Sequence, residues 1–230
     1  IVRYGQQAPQ LDPCGQARCV SADRFCYGIK RLVLGLAKKA IIADQLALIY
    51  AKVAAVPAAT LSAPILVLGY TAYMMQLYFD FSGYSDMAIG IGEFFGITLP
   101  ENFDYPYLAC SVGEYWRRWH ISLSGWFRDY VYIPLGGSRC RLRRTCLNLL
   151  IVFTLTGLWH GAAWQYVVFG LLHGLILCAE RLGLRRALER LPRFFGHLYT
   201  VMVLWLTLVI FGAPGLKEGL AALWLSLIHI

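Results

Sequence analysis

Three stretches of this chain contain no Asp, Glu, Lys or Arg at all: residues 53–79, 145–179 and 194–216. Each is long enough to cross a hydrocarbon core, which takes roughly 20 apolar residues. Stretches of that length belong in a membrane or in a large buried core, and composition decides between the two. Of 230 residues, 58% are hydrophobic and 15% charged, against about 25% charged in soluble domains, and mean hydropathy is +0.55. The sequence is therefore read as an all-α polytopic membrane protein.

The formal net charge of +8 does not call for nucleic acid, because basic loops held on the cytoplasmic side of a multi-pass protein explain it first. Cys14, Cys19, Cys26, Cys110, Cys140, Cys146 and Cys178 form neither a CxxC pair nor a Cys/His zinc pattern. They read as small apolar fillers, and no metal site is expected. The first residue is not methionine, the charge order of a signal peptide is missing, and residues 220–230 are apolar up to the last one. A fragment lacking neighbouring N-terminal helices is expected.

Residues 1–24 are polar, carry Pro9, Pro13 and Gly15, and read as a loop entering the membrane region. Residues 25–59 are apolar but interrupted by Lys30, Arg31, Lys38, Lys39, Asp44 and Lys52. Charge at the bilayer centre is costly, so an interfacial or bundle-facing helix is expected there. Residues 53–79 form a span with Pro57 and Pro64 near its start. Residues 80–137 mix short apolar pieces, 87–91 and 94–99 among them, with Asp80, Asp86, Glu93, Asp104, Glu114, Arg117, Arg118, Arg128 and Asp129. None of these pieces crosses alone, and they suggest re-entrant or interfacial helices lining a polar cavity.

Charge bias then yields a geometric expectation. Arg139, Arg141, Arg143 and Arg144 precede the uncharged run 145–179, and Arg181, Arg185, Arg186, Arg190 and Arg193 follow it. If both clusters are cytoplasmic, the run must go in and come back as a hairpin of two minimal spans of about 17 residues. Its turn falls at Gly157, Trp159, His160 and Gly161, far from the cytoplasmic surface, and residues 194–216 then cross outward.

An ionisable His160 at that depth is a functional candidate by default, although one intramembrane histidine can simply hydrogen-bond across helices. Imidazole suits a general base that takes a hydroxyl proton during acyl transfer, and Gly161 would permit close approach. His120 follows Trp116, Arg117, Arg118 and Trp119. Paired arginines beside aromatics can hold phosphate or carboxylate, but they also serve as interfacial anchors. Asp80, Ser82, Ser85 and Asp86 could line a cation or proton path. Helix capping, with Ser82 or Ser85 as N-cap, is the preferred reading. Ser82, Ser122 and Ser124 lack the GxSxG setting of a nucleophile, and His173 has no partnering pattern, so it reads as structural. No GxxxxGK[ST] or GxGxxG loop occurs, and a chain without either does not spend ATP or NAD itself.

Five ordered motifs complete the reading: GLAKKAIIAD (35–44), YFDFSGYSDMAIG (78–90), LPENFDYPY (99–107), EYWRRWHISLSGWFRDYVYIPLGG (114–137) and GLWHGAAW (157–164). Together they resemble the alginate O-acetylase branch of the membrane-bound O-acyltransferase superfamily, in its C-terminal part. The resemblance covers residues 1–214 as an acyltransferase core and leaves 215–230 as an atypical tail. It departs at Ile210, Phe211 and Gly212, where Phe-Phe-Arg is usual.

The resemblance implies transmembrane, re-entrant and interfacial helices around a central cavity in the bacterial inner membrane. His160, in the WHG motif, would be the catalytic histidine, with His120 at the upstream partner position. Trp116, Arg117, Arg118, Trp119, Trp159 and Gly161 become candidates for substrate binding. The implied reaction passes an acyl group, acetyl above all, from a thioester donor such as acetyl-CoA or an acyl carrier to hydroxyls of an extracytoplasmic polysaccharide. Partner acetyl-transfer proteins would complete delivery, surrounded by membrane lipids, with no permanently bound cofactor. D-alanyl transfer to teichoic acid and acetyl transfer to peptidoglycan are rival reactions of the same motifs. A transporter with a path through Asp80, Asp86, His120 and His160, and an export scaffold, are rivals from other classes.

Overall fold

The computed structural model describes residues 1–11, 19–57 and 60–228. Among these the regular elements are helices, and extended pairing is limited to an isolated bridge between Phe103 and Trp119. The all-helical expectation therefore holds, but several boundaries differ from it.

The N-terminal loop expected over 1–24 contains a helix, α1 (Tyr4–Leu11), with Pro9 inside it. A tertiary contact fixes this segment against its weak local propensity. The Gln10 side chain donates to the Thr98 carbonyl at 3.1 Å and accepts the Thr98 amide at 2.8 Å. Pro13, Cys14 and Gly15 lie outside the described residues.

The basic apolar segment that follows is helix α2 (Ala22–Ala37), a π-turn (Lys38–Ala43) and helix α3 (Asp44–Ala54). Ser21 opens α2 as an N-cap, its side chain accepting the Arg24 amide. The span expected at 53–79 is divided: α3 stops ahead of Pro57, and α4 (Ala63–Phe94) begins with Pro64 in its first turn, where a missing N–H is harmless.

Helix α4 then runs on for 32 residues, through Asp80 and Asp86, where the sequence suggested a break into short pieces. Ser82 and Ser85 consequently sit in mid-helix and cap nothing. Continuity is possible because α2 and the π-turn that extends it lie along α4 and bring a cation to each acid. Arg24 meets Glu93 at 2.7 Å, Arg31 and Lys38 both meet Asp86, and Lys39 meets Asp80 at 3.0 Å. Glycines set the closeness of the two helices: a Cβ on Gly28 would stand 2.7 Å from the Gly90 carbonyl, and one on Gly35 would stand 2.5 Å from that of Gly83. Small residues at such crossings let backbones touch. Arg31, Lys38 and Lys39 thus face the acids of α4, as expected, whereas Lys30 and Lys52 are exposed.

After a 3-10 turn (Pro106–Leu108) come two short helices, α5 (Val112–Arg118) and α6 (Ile121–Phe127), and a π-turn (Arg128–Tyr132). The run expected to form a hairpin does fold back, as α7 (Leu142–His160) and α8 (Trp164–Ala179) joined by residues 161–163, but of the two only α8 belongs to a helix long and apolar enough to cross a membrane. Backbone contact between them again runs through glycines: Gly157 lies against the Tyr166 carbonyl and Gly170 against that of Phe153. The Cys178 thiol donates to the Cys146 carbonyl at 3.4 Å at the foot.

Helix α8 continues through a π-turn (Glu180–Leu184) into α9 (Arg185–Glu189). Then α10 (Arg193–Gly212) and α11 (Leu216–Ile228) follow. Two helices among the described residues are long and apolar enough to cross a membrane: Trp164–Glu189, with mean hydropathy 1.7, and Arg193–Gly212, with 2.0.

The largest core cluster, including Met74, Tyr115, Trp116, Phe169, Leu204 and Leu208, joins α4, α5, α8 and α10. Cys178 is buried within the hairpin in keeping with an apolar filler, whereas Cys19 and Cys26 are exposed and are not fillers.

Candidate active site

His160 is the last residue of α7, at the tip of the hairpin, and it is exposed. Its ring stands edge-on to Phe211 of α10 at 5.1 Å and to Trp159 at 5.0 Å between centroids. Aromatic contacts alone hold the imidazole, and no side-chain hydrogen bond to it occurs among the described residues. Gly161 is demanded by a neighbour: a Cβ there would stand 2.8 Å from the Tyr166 ring. That ring also contacts Phe211 at 4.9 Å. The space above Gly161 is thus filled by Tyr166.

His120 reaches the same neighbourhood from another element. It sits between α5 and α6 with φ of 45° and ψ of 54°, a left-handed conformation that costs a non-glycine residue roughly 1–2 kcal/mol. Asn102 holds this corner. Its carbonyl accepts the Ile121 amide at 3.1 Å, and its side-chain oxygen accepts the Ser122 amide and hydroxyl, both at 3.0 Å. The imidazole is 4% exposed and packs edge-on to Phe81 of α4 at 4.7 Å. It faces Trp159 at 5.9 Å, so the exposed Trp159 indole touches both histidines. Burial holds the His120 pKa down at about 4. Its ring is therefore neutral near pH 7, with one nitrogen free to accept a proton or a hydrogen bond.

The other candidates separate. Arg118 is committed to Glu114 at 2.9 Å and to Asp104 at 3.4 Å. Arg117 is exposed and has no acidic partner among the described residues. Trp119 lies in an aromatic cluster with Tyr78, Phe81, Phe103 and Tyr107. Trp116 packs on Phe153 and His173, and its indole N–H is buried without a partner.

His173 is fully buried, with Nδ1 against the Phe169 carbonyl at 3.0 Å and Nε2 unpartnered. Ser122 is tied to Asn102, and the Ser124 hydroxyl donates to the Trp116 carbonyl at 3.1 Å. Asp80 and Asp86 belong to the ion pairs that α4 makes with α2 and its π-turn, and neither is hydrogen-bonded to a histidine among the described residues. Asn102, Phe81 and Phe211 were not singled out by the sequence reading, although Asn102 and Phe81 lie inside two of its five motifs.

Along α5, α6 and the hairpin runs a cavity of about 640 Å³, whose lining includes Arg117, Arg181, Trp116, Leu177, Phe153 and Thr156. The exposed guanidinium groups of Arg117 and Arg181 stand near the foot of the hairpin. Arg3 and Arg128 line the cavity beside α6, and Thr156, one helical turn short of His160, is its nearest approach along α7. Among the described residues no three His, Cys, Asp or Glu side chains converge as a metal site would require.

The family model for the membrane-bound O-acyltransferases matches residues 3–216, a range that holds both histidines and all five motifs. The chain belongs to the membrane-bound O-acyltransferase family. Several curated relatives are similar to it. It is 45% identical to the probable alginate O-acetylase AlgI of Pseudomonas aeruginosa, over 87% of this chain and 38% of that protein. It is 39% identical to the peptidoglycan O-acetyltransferase of Helicobacter pylori, over 97% and 42%. With the teichoic acid D-alanyltransferase of Bacillus subtilis it shares 34% identity, over 68% and 41%. The chain thus spans about two fifths of the length of these relatives.

Proposed function

We propose that this chain is the catalytic part of a multi-pass O-acyltransferase of the bacterial inner membrane, moving an acetyl group from a thioester onto hydroxyls of an extracytoplasmic polysaccharide. The observation that carries this reading is the meeting of His120 and His160 across Trp159, with an arginine-lined cavity running along the hairpin. In the reaction the acceptor oxygen attacks the thioester carbonyl carbon, the C–S bond breaks, and an ester and a thiol result. His160 takes the hydroxyl proton and returns it to the thiolate. His120, buried and neutral, holds the acceptor or the developing oxyanion by a hydrogen bond.

Both arginine clusters flank the foot of the hairpin, and with the foot cytoplasmic, α7 carries His160 about 28 Å away, at 1.5 Å per residue. That is close to the roughly 30 Å hydrocarbon thickness. A donor of the acetyl-CoA or acyl-carrier class then enters from the cytoplasm. Arg117 and Arg181 attract its phosphates, and its apolar thioester arm runs past Trp116, Phe153 and Thr156. Trp159 screens the thioester from water.

Names of the relatives support alginate as the first acceptor to examine, with peptidoglycan and teichoic acid next. Partner proteins receive or deliver the group outside. The test is His160→Ala in the full-length protein, expected to reach the membrane in normal amount while polymer acetylation disappears. Acetylation that persists in this variant overturns the proposal.

A further inference from the structure

A second cavity, of about 800 Å³, opens between α2, α4 and the 101–105 loop. Its floor is ionic. Asp86 is shared by Arg31 and Lys38, and Arg31 also holds Glu101. Two polar atoms of this floor are buried with no partner, the Ser82 hydroxyl and the Arg31 Nε–H. Ser82 is 3% exposed, and an orphaned buried polar group costs about 1–3 kcal/mol unless something satisfies it. Beside the floor, Leu34 of α2 and Ile41 of the π-turn that follows it line the same cavity and are 57% and 70% exposed. Tyr105, also on the rim, is held at φ of 42°, a backbone strain that clusters at ligand sites.

We propose that this cavity seats the headgroup of an amino-phospholipid, with its acyl chains lying along the exposed apolar face of α2. The chemistry selects the class. Arg31 and Lys38 oppose Asp86 and Glu101, and Asp104 on the same lining is paired with Arg118, so the site carries no excess cation and disfavours an anionic headgroup. A zwitterion of the phosphoethanolamine type keeps that balance. Its phosphate accepts from the unpaired Arg31 Nε–H, the Ser82 hydroxyl and Lys38, and its ammonium donates to Glu101, which is half exposed. A quaternary choline has no N–H to give and loses that last bond.

This inference goes beyond the acyltransferase reading, and its test needs no acyl transfer. The full-length protein is purified in mild detergent, stripped of lipid, and exposed separately to phosphatidylethanolamine, phosphatidylcholine and phosphatidylglycerol, with retained lipid read by native mass spectrometry. Phosphatidylethanolamine is expected to bind at least about tenfold tighter than the other two. Ser82→Ala removes one buried hydrogen bond and is expected to weaken it about five- to tenfold. Ala37→Phe, which obstructs the cavity without altering charge, is expected to abolish retention. Equal binding of the three lipids, full retention by Ala37→Phe, or displacement by an oligosaccharide would each overturn the proposal. Were Ala37→Phe to misfold, Ser82→Ala decides alone, since a purely structural orphan leaves retention unchanged when removed.

Discussion

Glu180, at the foot of the hairpin, holds Val112 by a hydrogen bond from the Val112 amide to its carboxylate at 2.7 Å. The same carboxylate accepts the Gly113 amide at 2.9 Å, and the Tyr199 hydroxyl donates to it at 3.3 Å. A buried acid at the start of α5 satisfies amides that a helix leaves unpaired and ties α8 to the segment that ends at His120. Glu180→Ala strands these donors in the core. It should destabilise by about 2–4 kcal/mol and lower acyl transfer by disordering the His120 corner. Thermal melting in detergent checks the first, and activity per folded molecule checks the second.

His120 offers a cleaner separation of chemistry from folding. His120→Asn keeps a residue type that tolerates the left-handed conformation, so stability should change by less than about 1 kcal/mol while activity falls about 100-fold or more. Comparable activity in His120→Asn would remove the imidazole from the mechanism.

The same residue sets a pH dependence. Burial lowers its pKa from 6.5 to about 4, so between those values the unfolded chain binds the proton and the folded one does not. Stability must therefore decline as pH falls from 6.5 towards 4. Melting curves at pH 7 and pH 5 should show a smaller acid loss in His120→Asn than in the native protein.

Topology can be tested at the foot of the hairpin. Cys140 and a cysteine placed at Arg185 flank α7 and α8, and both should label from the cytoplasmic side with a membrane-impermeant thiol reagent. Labelling from opposite sides would refute the hairpin orientation.

Glycine packing supplies a last prediction. Gly83→Ala would place a Cβ 2.7 Å from the Gly35 carbonyl and should cost about 1–3 kcal/mol by forcing α2 from α4. Gly5→Ala, with nothing within 4 Å, is the control and should be silent.

The fold-back was legible because arginine clusters bracket an uncharged run; His160 was singled out by its place in that run and His120 by the motif resemblance, and the structure brings both rings to Trp159. Helix α4 was not. Asp80, Asp86 and Glu93 look like interruptions when read along the chain, and only the cations of α2 and its π-turn make them compatible with one helix. The Asn102 bracket on His120 was hidden for a similar reason, since its partners are 19 and 20 residues away and no local pattern announces them. Helix α1, with Pro9 inside, depends on Thr98 and had no signal of its own.

Arg24 and Arg31 on α2 and Lys38 just past its end recur every seven residues, as do Gly28 and Gly35, while Glu93 and Asp86, and Gly90 and Gly83, keep the same interval on α4. Toothed surfaces of this kind mesh only at whole periods. Displacing α2 by one turn would leave cations opposite notches and carboxylates facing hydrocarbon, all at once. An insertion of a single residue midway along either helix should therefore be far more harmful than its size suggests, whereas seven added together could be absorbed.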